Sequence, residues 1–386
     1  MNWFADLVNP RKSGSRSGSR FGLALAAPAL ALVFALVLSS IVLLIAGHPP
    51  LQTFQDMISY GSKPPQLVAI VNRACPYYIA AIAVAIGFRM NLFNIGVDGQ
   101  YQLAAMVAAV VGAAIHLPSV LHVLVILLVA VLVGAAWAGV AGLLRVTRGV
   151  SEVIATIMLN FIATSLVAWM LTPQVFAKLQ GNNVATPQIP GSGRVPGFDT
   201  GHGKIYGLLV LVVLVGVGYW FLLERTRFGF DLRSTGSSEP AAVASGVDVK
   251  KMVLFAMLIS GGVAGLVGMP QLLGASYTYS LDFPAGLGFT GIAIALLGRN
   301  NPVGVAFAAL LWSFLDQSAQ ILDLSGVPKE IVTIMQGTIV LAVVVAYEVV
   351  RRVSVAREQA KVGEELGGVD GGSADEAEPA GTGVAL

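Results

Sequence analysis

The side chains with the most chemical potential here are charged groups set inside apolar stretches. Arg73 follows Asn72 in mid-run, Asp98 sits with Asn94 and Gln100 in "FNIGVDGQ", Glu152 opens a run that also holds Asn160, and Asp316 precedes Gln317. An ionised group at a bilayer centre costs about 2.5–3.5 kcal/mol on insertion scales, so such residues face a cavity, a partner or the bundle interior. Asn72, Arg73, Asn94, Asp98, Gln100 and Asn160 are the candidates for a polar path through the chain. Arg73 either faces a cavity or pairs with a carboxylate. For the 94–100 stretch a second reading stands level with the first: a cytoplasmic turn whose Asp98 meets the positive end of a helix dipole. Glu152 also fits a helix N-terminus better than a proton-binding site.

Catalytic and metal chemistry have no constellation to rest on. His48, His116, His122 and His202 lack ligand spacing, Cys75 is the only cysteine, and no nucleophile–base–acid set appears. The sequence contains no G-x-x-x-x-G-K-[ST] loop to hold ATP phosphates. The string "GLGFTG" at residues 286–291 has the form of a dinucleotide fingerprint, but it opens an apolar run rather than following a strand, so nucleotide binding is rejected there. No enzyme activity, metal or cofactor is expected.

These residues must be positioned by membrane helices. Hydrophobic residues make up 56% of the 386-residue chain and charged residues 11%, against about 25% charge in a soluble domain. Runs of about 20 apolar residues, the length that crosses the hydrocarbon core, recur over 21–46, 66–88, 92–115, 119–144, 152–172, 204–223, 252–273, 285–298, 302–321 and 329–350. The fold class is all-α, a polytopic membrane protein with about ten transmembrane helices. Seventeen of the 23 Lys and Arg fall on one face of that layout and five on the other, which places both termini in the cytoplasm. Net charge is only +2, and orientation accounts for the basic residues, so no nucleic-acid partner is implied. Residues 1–20 read as a cytoplasmic basic leader, 21–350 as the transmembrane domain and 351–386 as a disordered cytoplasmic tail. Residues 47–65 and 173–203 read as outer loops.

"GVSEVIATIM" at 149–158 matches "GVPKEIVTIM" at 326–335 in six of ten positions. One copy enters its span from inside and the other from outside, so the ten spans divide into two inverted five-helix repeats. That is a common architecture of alternating-access transporters; chance similarity in a small apolar alphabet is the competing explanation. Gly261 and Gly265 form a GxxxG pair suited to close helix packing.

The most polar long loop between spans, 224–251, reads as a cytoplasmic loop with a short helix. Ser237 or Ser238 can cap it, Glu239 and Pro240 suit its first turn, Ala241 and Ala242 continue it, and Gly246 ends it. The bland reading is an ordinary loop; small apolar residues held outside the membrane behind Arg225, Arg227 and Arg233 favour a docking element. A charge at Ala242 is expected to abolish docking and leave the fold intact.

"TRFGFDLRSTGSSEPAAVASGV" resembles the coupling segment of permease subunits of ABC importers for branched-chain amino acids, simple sugars and nucleosides. Thr226, Gly229, Arg233, Gly236, Ala241 and Ala242 match its usual form, while Ser234 replaces Ala and Ser238 replaces Asn. "FNIG…GQ", "GVSEVIATIMLN" and the Gly-Arg-Asn-Asn-Pro turn at 298–302 resemble the nucleoside-type branch. The resemblance implies an ATP-driven import permease working by alternating access in a prokaryotic cytoplasmic membrane. Nucleosides are its first cargo and simple sugars its second. It also implies a cytoplasmic ABC ATPase gripping Arg233, Gly236, Ser238, Glu239, Ala241, Ala242 and Gly246, a second permease subunit of the same or a related kind, and an extracytoplasmic solute-binding protein. The alternative class is a proton-coupled secondary transporter for a small polar solute, using Asp98 or Glu152.

Overall fold

A computed structural model describes residues 33–180, 183–324, 326–328, 330–346, 348–349 and 352. The leader, the first part of the first expected span and nearly all of the tail lie outside these residues. The chain forms two units, one of residues 42–340 and one combining its two ends. Among the described residues the second unit holds only the start of one helix and the end of another, and the first carries the polar sites. Helices dominate: α1 (Val33–Ile45), α2 (Pro50–Gly61), α3 (Pro64–Phe88), α4 (Val97–Ala114), α5 (Ser119–Arg148) and α6 (Glu152–Met170). After two small hairpins come α7 (Leu209–Arg225), α8 (Arg227–Ser237), α9 (Glu239–Ala244), α10 (Val249–Gly265), α11 (Leu287–Leu297), α12 (Pro302–Leu324) and α13 (Glu330–Ala346). Among the described residues five helices are long and apolar enough to cross a membrane, or seven when each sharply bent pair counts as one span. The fold is that of an all-α polytopic membrane protein.

Small residues set the packing. α3 is buried without a break from Ile79 to Gly87, where alanines at 80, 81, 83 and 85 let neighbouring helices close in. Gly261 and Gly265 of α10 lie against the backbone of α5, where a methyl on either would collide with the carbonyls of Gly134 and Ala130. The GxxxG pair is a packing device, as expected.

The bonding network defines two ends. At one, Gly236 abuts the backbone of Arg89 and Met90, Arg89 donates to the Asn300 carbonyl (2.9 Å), and Tyr219 donates to the same oxygen (2.7 Å). Gly149 shares a cleft with Gly236 and Arg145 there. At the opposite end, His122 bonds Ser192 (2.8 Å) and the Gly112 carbonyl (3.0 Å), fastening the 191–193 turn to α4 and α5. Since α12 starts beside Asn300 and runs for 23 residues, about 34 Å, Gly326 falls at the end away from Gly149. Both glycines have positive φ, +67° and +82°.

Two expected loops carry structure. Within 47–65 the chain forms α2 because Pro49 and Pro50 stand at its N-terminus, where proline fits, and Thr53, Met57 and Gly61 make one buried stripe. Within 173–203 and just beyond, Lys178–Gln180 pairs antiparallel with Asn183–Ala185, and Phe198–Asp199 with Lys204–Ile205.

Candidate functional site

The polar residues separate into two groups. The first lies where the chain turns back after α3. Leu92 donates to the Gly87 carbonyl (3.0 Å) to close the turn, and residues 92–96 run without helical bonding into α4. Buried backbone outside a helix needs hydrogen-bond partners, and these side chains supply them. Asn94 accepts from Gly96 N–H (3.1 Å) and from Gln100 (2.8 Å), and donates to Ser260 (2.9 Å). Ser260 in turn donates to the Ala83 carbonyl (2.6 Å). Asn160 accepts from Gly99 N–H (2.9 Å) and donates to the Ile95 carbonyl (2.9 Å). Asp98 accepts from Gly288 N–H at the start of α11 (3.1 Å) and from Gln102 (2.7 Å). Asn94 is 1% exposed and Gln100 is equally buried. The 94–100 stretch is thus buried in the bundle, with Asp98 in the first turn of α4, where the helix dipole favours it.

The second group surrounds a cavity of about 320 Å³ lined by Asn72, Arg73, Pro76, Tyr77, Tyr206, Gln271, Phe283 and Gln317, among others. Arg73 is nine residues into α3, about 14 Å along its axis. Its Nε donates to Asp316 Oδ2 on α12 at 3.0 Å. Tyr77 donates to the same carboxylate, and Gln336 of α13 donates to its other oxygen (2.9 Å). Arg73 therefore both pairs with a carboxylate and faces a cavity. It also lines a second space of about 320 Å³ with Asp316, Asp323 and Glu330. Asn72 bonds the Lys204 carbonyl (2.7 Å) and the Tyr206 N–H (2.8 Å), holding the second hairpin over this cavity. A larger groove of about 670 Å³ between α3, α7 and α12 is lined by apolar and aromatic residues such as Val71, Leu209, Trp220 and Phe307. It offers a polar solute nothing, so the smaller cavity is the chemically competent one.

Asp316, Tyr77, Tyr206, Gln271, Phe283, Gln317 and Gln336 join the site only through the fold; sequence patterning does not bring them together. Arg73 and Asp316 are 243 residues apart, and the lone charge in each apolar run is the one hint that they meet. Glu152 begins α6 and pairs with Arg145 at 3.4 Å, which gives it a structural employment.

At the end opposite the hairpins, most of the matched residues of the 224–251 loop have a mechanical reason. Thr226 caps α8 by accepting from Gly229 N–H (3.1 Å). Gly229 lies on the Leu222 and Leu223 backbone, where a side chain has no room. Arg233 ties α8 back to α7 through the Leu223 carbonyl and Glu224 (3.1 Å). Asn91 donates to the Gly236 carbonyl (2.7 Å). Ser238 caps α9, accepting from Ala241 N–H (3.4 Å), and Gly246 closes it with φ +82°. Thus α8, unforeseen as a helix, is bolted to the bundle, while α9 shows Ala241, Val243 and Ala244 to solvent. Ala242 is buried, 2% exposed, so the expectation that a charge there spares the fold is corrected. The Lys251 amide and ammonium hold the Asp248 carboxyl below its ordinary range as it caps α10.

Comparison with known proteins agrees with this arrangement. A family model described as branched-chain amino acid transport system / permease component matches residues 66–344. The guanosine ABC transporter permease protein of Bacillus subtilis is 31% identical over 83% of this chain and 93% of its own length. The glucose ABC transporter permease protein of Haloferax volcanii is also 31% identical, over 83% and 87%. The nucleoside ABC transporter permease protein of Lactococcus lactis subsp. cremoris is 29% identical, over 83% and 90%. These matches set the secondary-transporter alternative aside. With membrane helices for its body and a short capped helix exposed at one end, this chain belongs to the ABC importer permease family of the branched-chain amino acid transport type, as a transport subunit.

Proposed function

We infer that this permease moves nucleosides inward across a prokaryotic cytoplasmic membrane as one of two membrane subunits, driven by a separate cytoplasmic ATPase and supplied by an extracytoplasmic solute-binding protein. The observation carrying the cargo is the pair of nucleoside-named relatives aligned over 83% of the chain. The cavity supports it, because rings of Tyr77, Tyr206 and Phe283 stand beside amides and one arginine. The equally similar glucose permease favours simple sugar as the second reading.

The ATPase grips α9, with Arg233, Gly236, Ser238, Glu239, Ala241, Ala242 and Gly246 building or presenting it. Asn72 and Arg73 line the path; Asn94, Asp98, Gln100 and Asn160 brace the unwound backbone beside it. Ten spans in two inverted repeats remain the reading of the whole, supported by the matching positive-φ glycines 149 and 326 at opposite ends. Both termini are cytoplasmic, with residues 1–20 and 351–386 outside the transmembrane domain. Alternating access follows from moving α9 and the bolted α8, which presses on the 89–91 turn and so on α3.

Uptake by the reconstituted complex tests this. Guanosine should accumulate with ATP and continue when a protonophore is added. Collapse of uptake by the protonophore at constant ATP would sink the ATP-driven reading; glucose uptake without nucleoside uptake would transfer the assignment to sugars.

A further inference from the structure

We propose that Arg73 reads the base of the cargo, accepting nucleosides whose base carries two adjacent hydrogen-bond acceptors on one edge. This rests on the nucleoside reading above. Asp316 holds the guanidinium by its Nε edge at 3.0 Å, and Tyr77 and Gln336 hold Asp316 from two other positions. The guanidinium plane is therefore fixed. Among the described residues the one geometric hydrogen bond leaving Arg73 is that of its Nε, the Tyr77 hydroxyl lies beside the guanidinium, and the side chain is 49% exposed and lines two cavities. The neighbouring amides are otherwise engaged. Asn72 is bonded at both ends to the 204–206 backbone, the Gln271 carbonyl accepts from Tyr206 (3.2 Å), and the Gln317 amine donates to Gln66 and Gln320.

A fixed pair of N–H donors in one plane matches two acceptors in one plane. Guanine and hypoxanthine offer O6 and N7, and cytosine offers O2 and N3. Adenine sets an amino donor beside N7, opposing the guanidinium, and uracil sets N3–H between its oxygens. Phosphorylated forms are disfavoured, because Asp316 already neutralises Arg73 and Asp323 and Glu330 line the adjoining space. A cavity of about 320 Å³ is of the size that encloses a small ligand.

The test uses the full complex in proteoliposomes, with each nucleoside at a concentration that saturates the binding protein. Wild type should take up guanosine and cytidine about tenfold faster than adenosine, uridine or 7-deazaguanosine, a ratio within the discrimination of one bidentate pair. Arg73→Lys, with the same binding protein, should bring the guanosine-to-adenosine ratio to about one. The binding protein's own preference cancels between the two. Equal maximal uptake of guanosine and 7-deazaguanosine in wild type overturns the proposal, even where Arg73→Lys does not assemble. So does an unchanged ratio in Arg73→Lys. Uptake of none of the nucleosides defeats the proposed function itself, whereas equal uptake of all of them defeats only the role of Arg73.

Discussion

The polar cluster around Asn94 and the polar cavity around Arg73 look alike as sequence, each an amide beside a charged residue in an apolar run, yet the structure uses them oppositely. Around Asn94 the polar atoms meet one another or an unwound backbone, and the cluster is sealed. Around Arg73 one edge of a guanidinium is anchored and the other is turned toward open space. A buried polar group with all its partners is a brace; one with a leftover donor edge at a cavity is a recognition element. The contrast implies that the two regions fail differently when mutated.

The largest loss of stability is expected at Asn94. Asn94→Ala strands the Gly96 N–H and the Gln100 amide in a dry interior, at about 1–3 kcal/mol for each orphaned group. The measurement is thermal unfolding of the detergent-solubilised complex, with a steep drop expected. Full wild-type stability combined with lost uptake would instead move Asn94 to the solute path and erase the contrast. Next comes Ala242→Asp, which forces a carboxylate into a site 2% exposed. A buried unpaired charge costs roughly 3 kcal/mol, so this variant should lower yield and melting temperature before it says anything about the ATPase. An Ala242→Asp protein as stable as wild type would mean that α9 swings out without penalty.

Arg73→Met should do the reverse of Asn94→Ala. The guanidinium is half exposed and Asp316 keeps its bonds to Tyr77 and Gln336, so melting should fall less than in Asn94→Ala while guanosine uptake falls by an order of magnitude or more. A large drop in melting temperature with residual uptake intact would make Arg73 another brace.

What sequence alone reveals here depends on the range of each interaction. The 224–251 loop is legible residue by residue, because capping by Ser238, closure by Gly246 and the Thr226–Gly229 contact are all local. Its facing is not: a run of small residues does not say which alanine turns inward, and it is Ala242 that does. α2 is hidden by two prolines that read as loop markers, although Thr53, Met57 and Gly61 have helical spacing. The Asp316 partner of Arg73 is only hinted at by the lone charge in each apolar run, since the pair joins residues 243 apart through the packing of α3 on α12. The same holds for Asp98, whose partner Gly288 opens another helix.

The smallest stability effect, and the sharpest test of facing, belongs to Val243. It is adjacent to Ala242 but points outward, 58% exposed, on a helix whose cap and closure do not involve its side chain. Val243→Asp should leave the melting temperature within a degree or two, because surface substitutions away from caps and cores usually change stability by less than about 0.5 kcal/mol. A desolvated contact with an ATPase groove, by contrast, tolerates an unpaired carboxylate poorly. Pull-down of the ATPase subunit with the Val243→Asp permease should therefore fail while the permease itself runs as a folded species on size exclusion. If the ATPase still co-purifies in full, the exposed face of α9 around Val243 is not the gripped surface, and the docking role passes to the junction of α8 and α9 around Gly236 and Glu239.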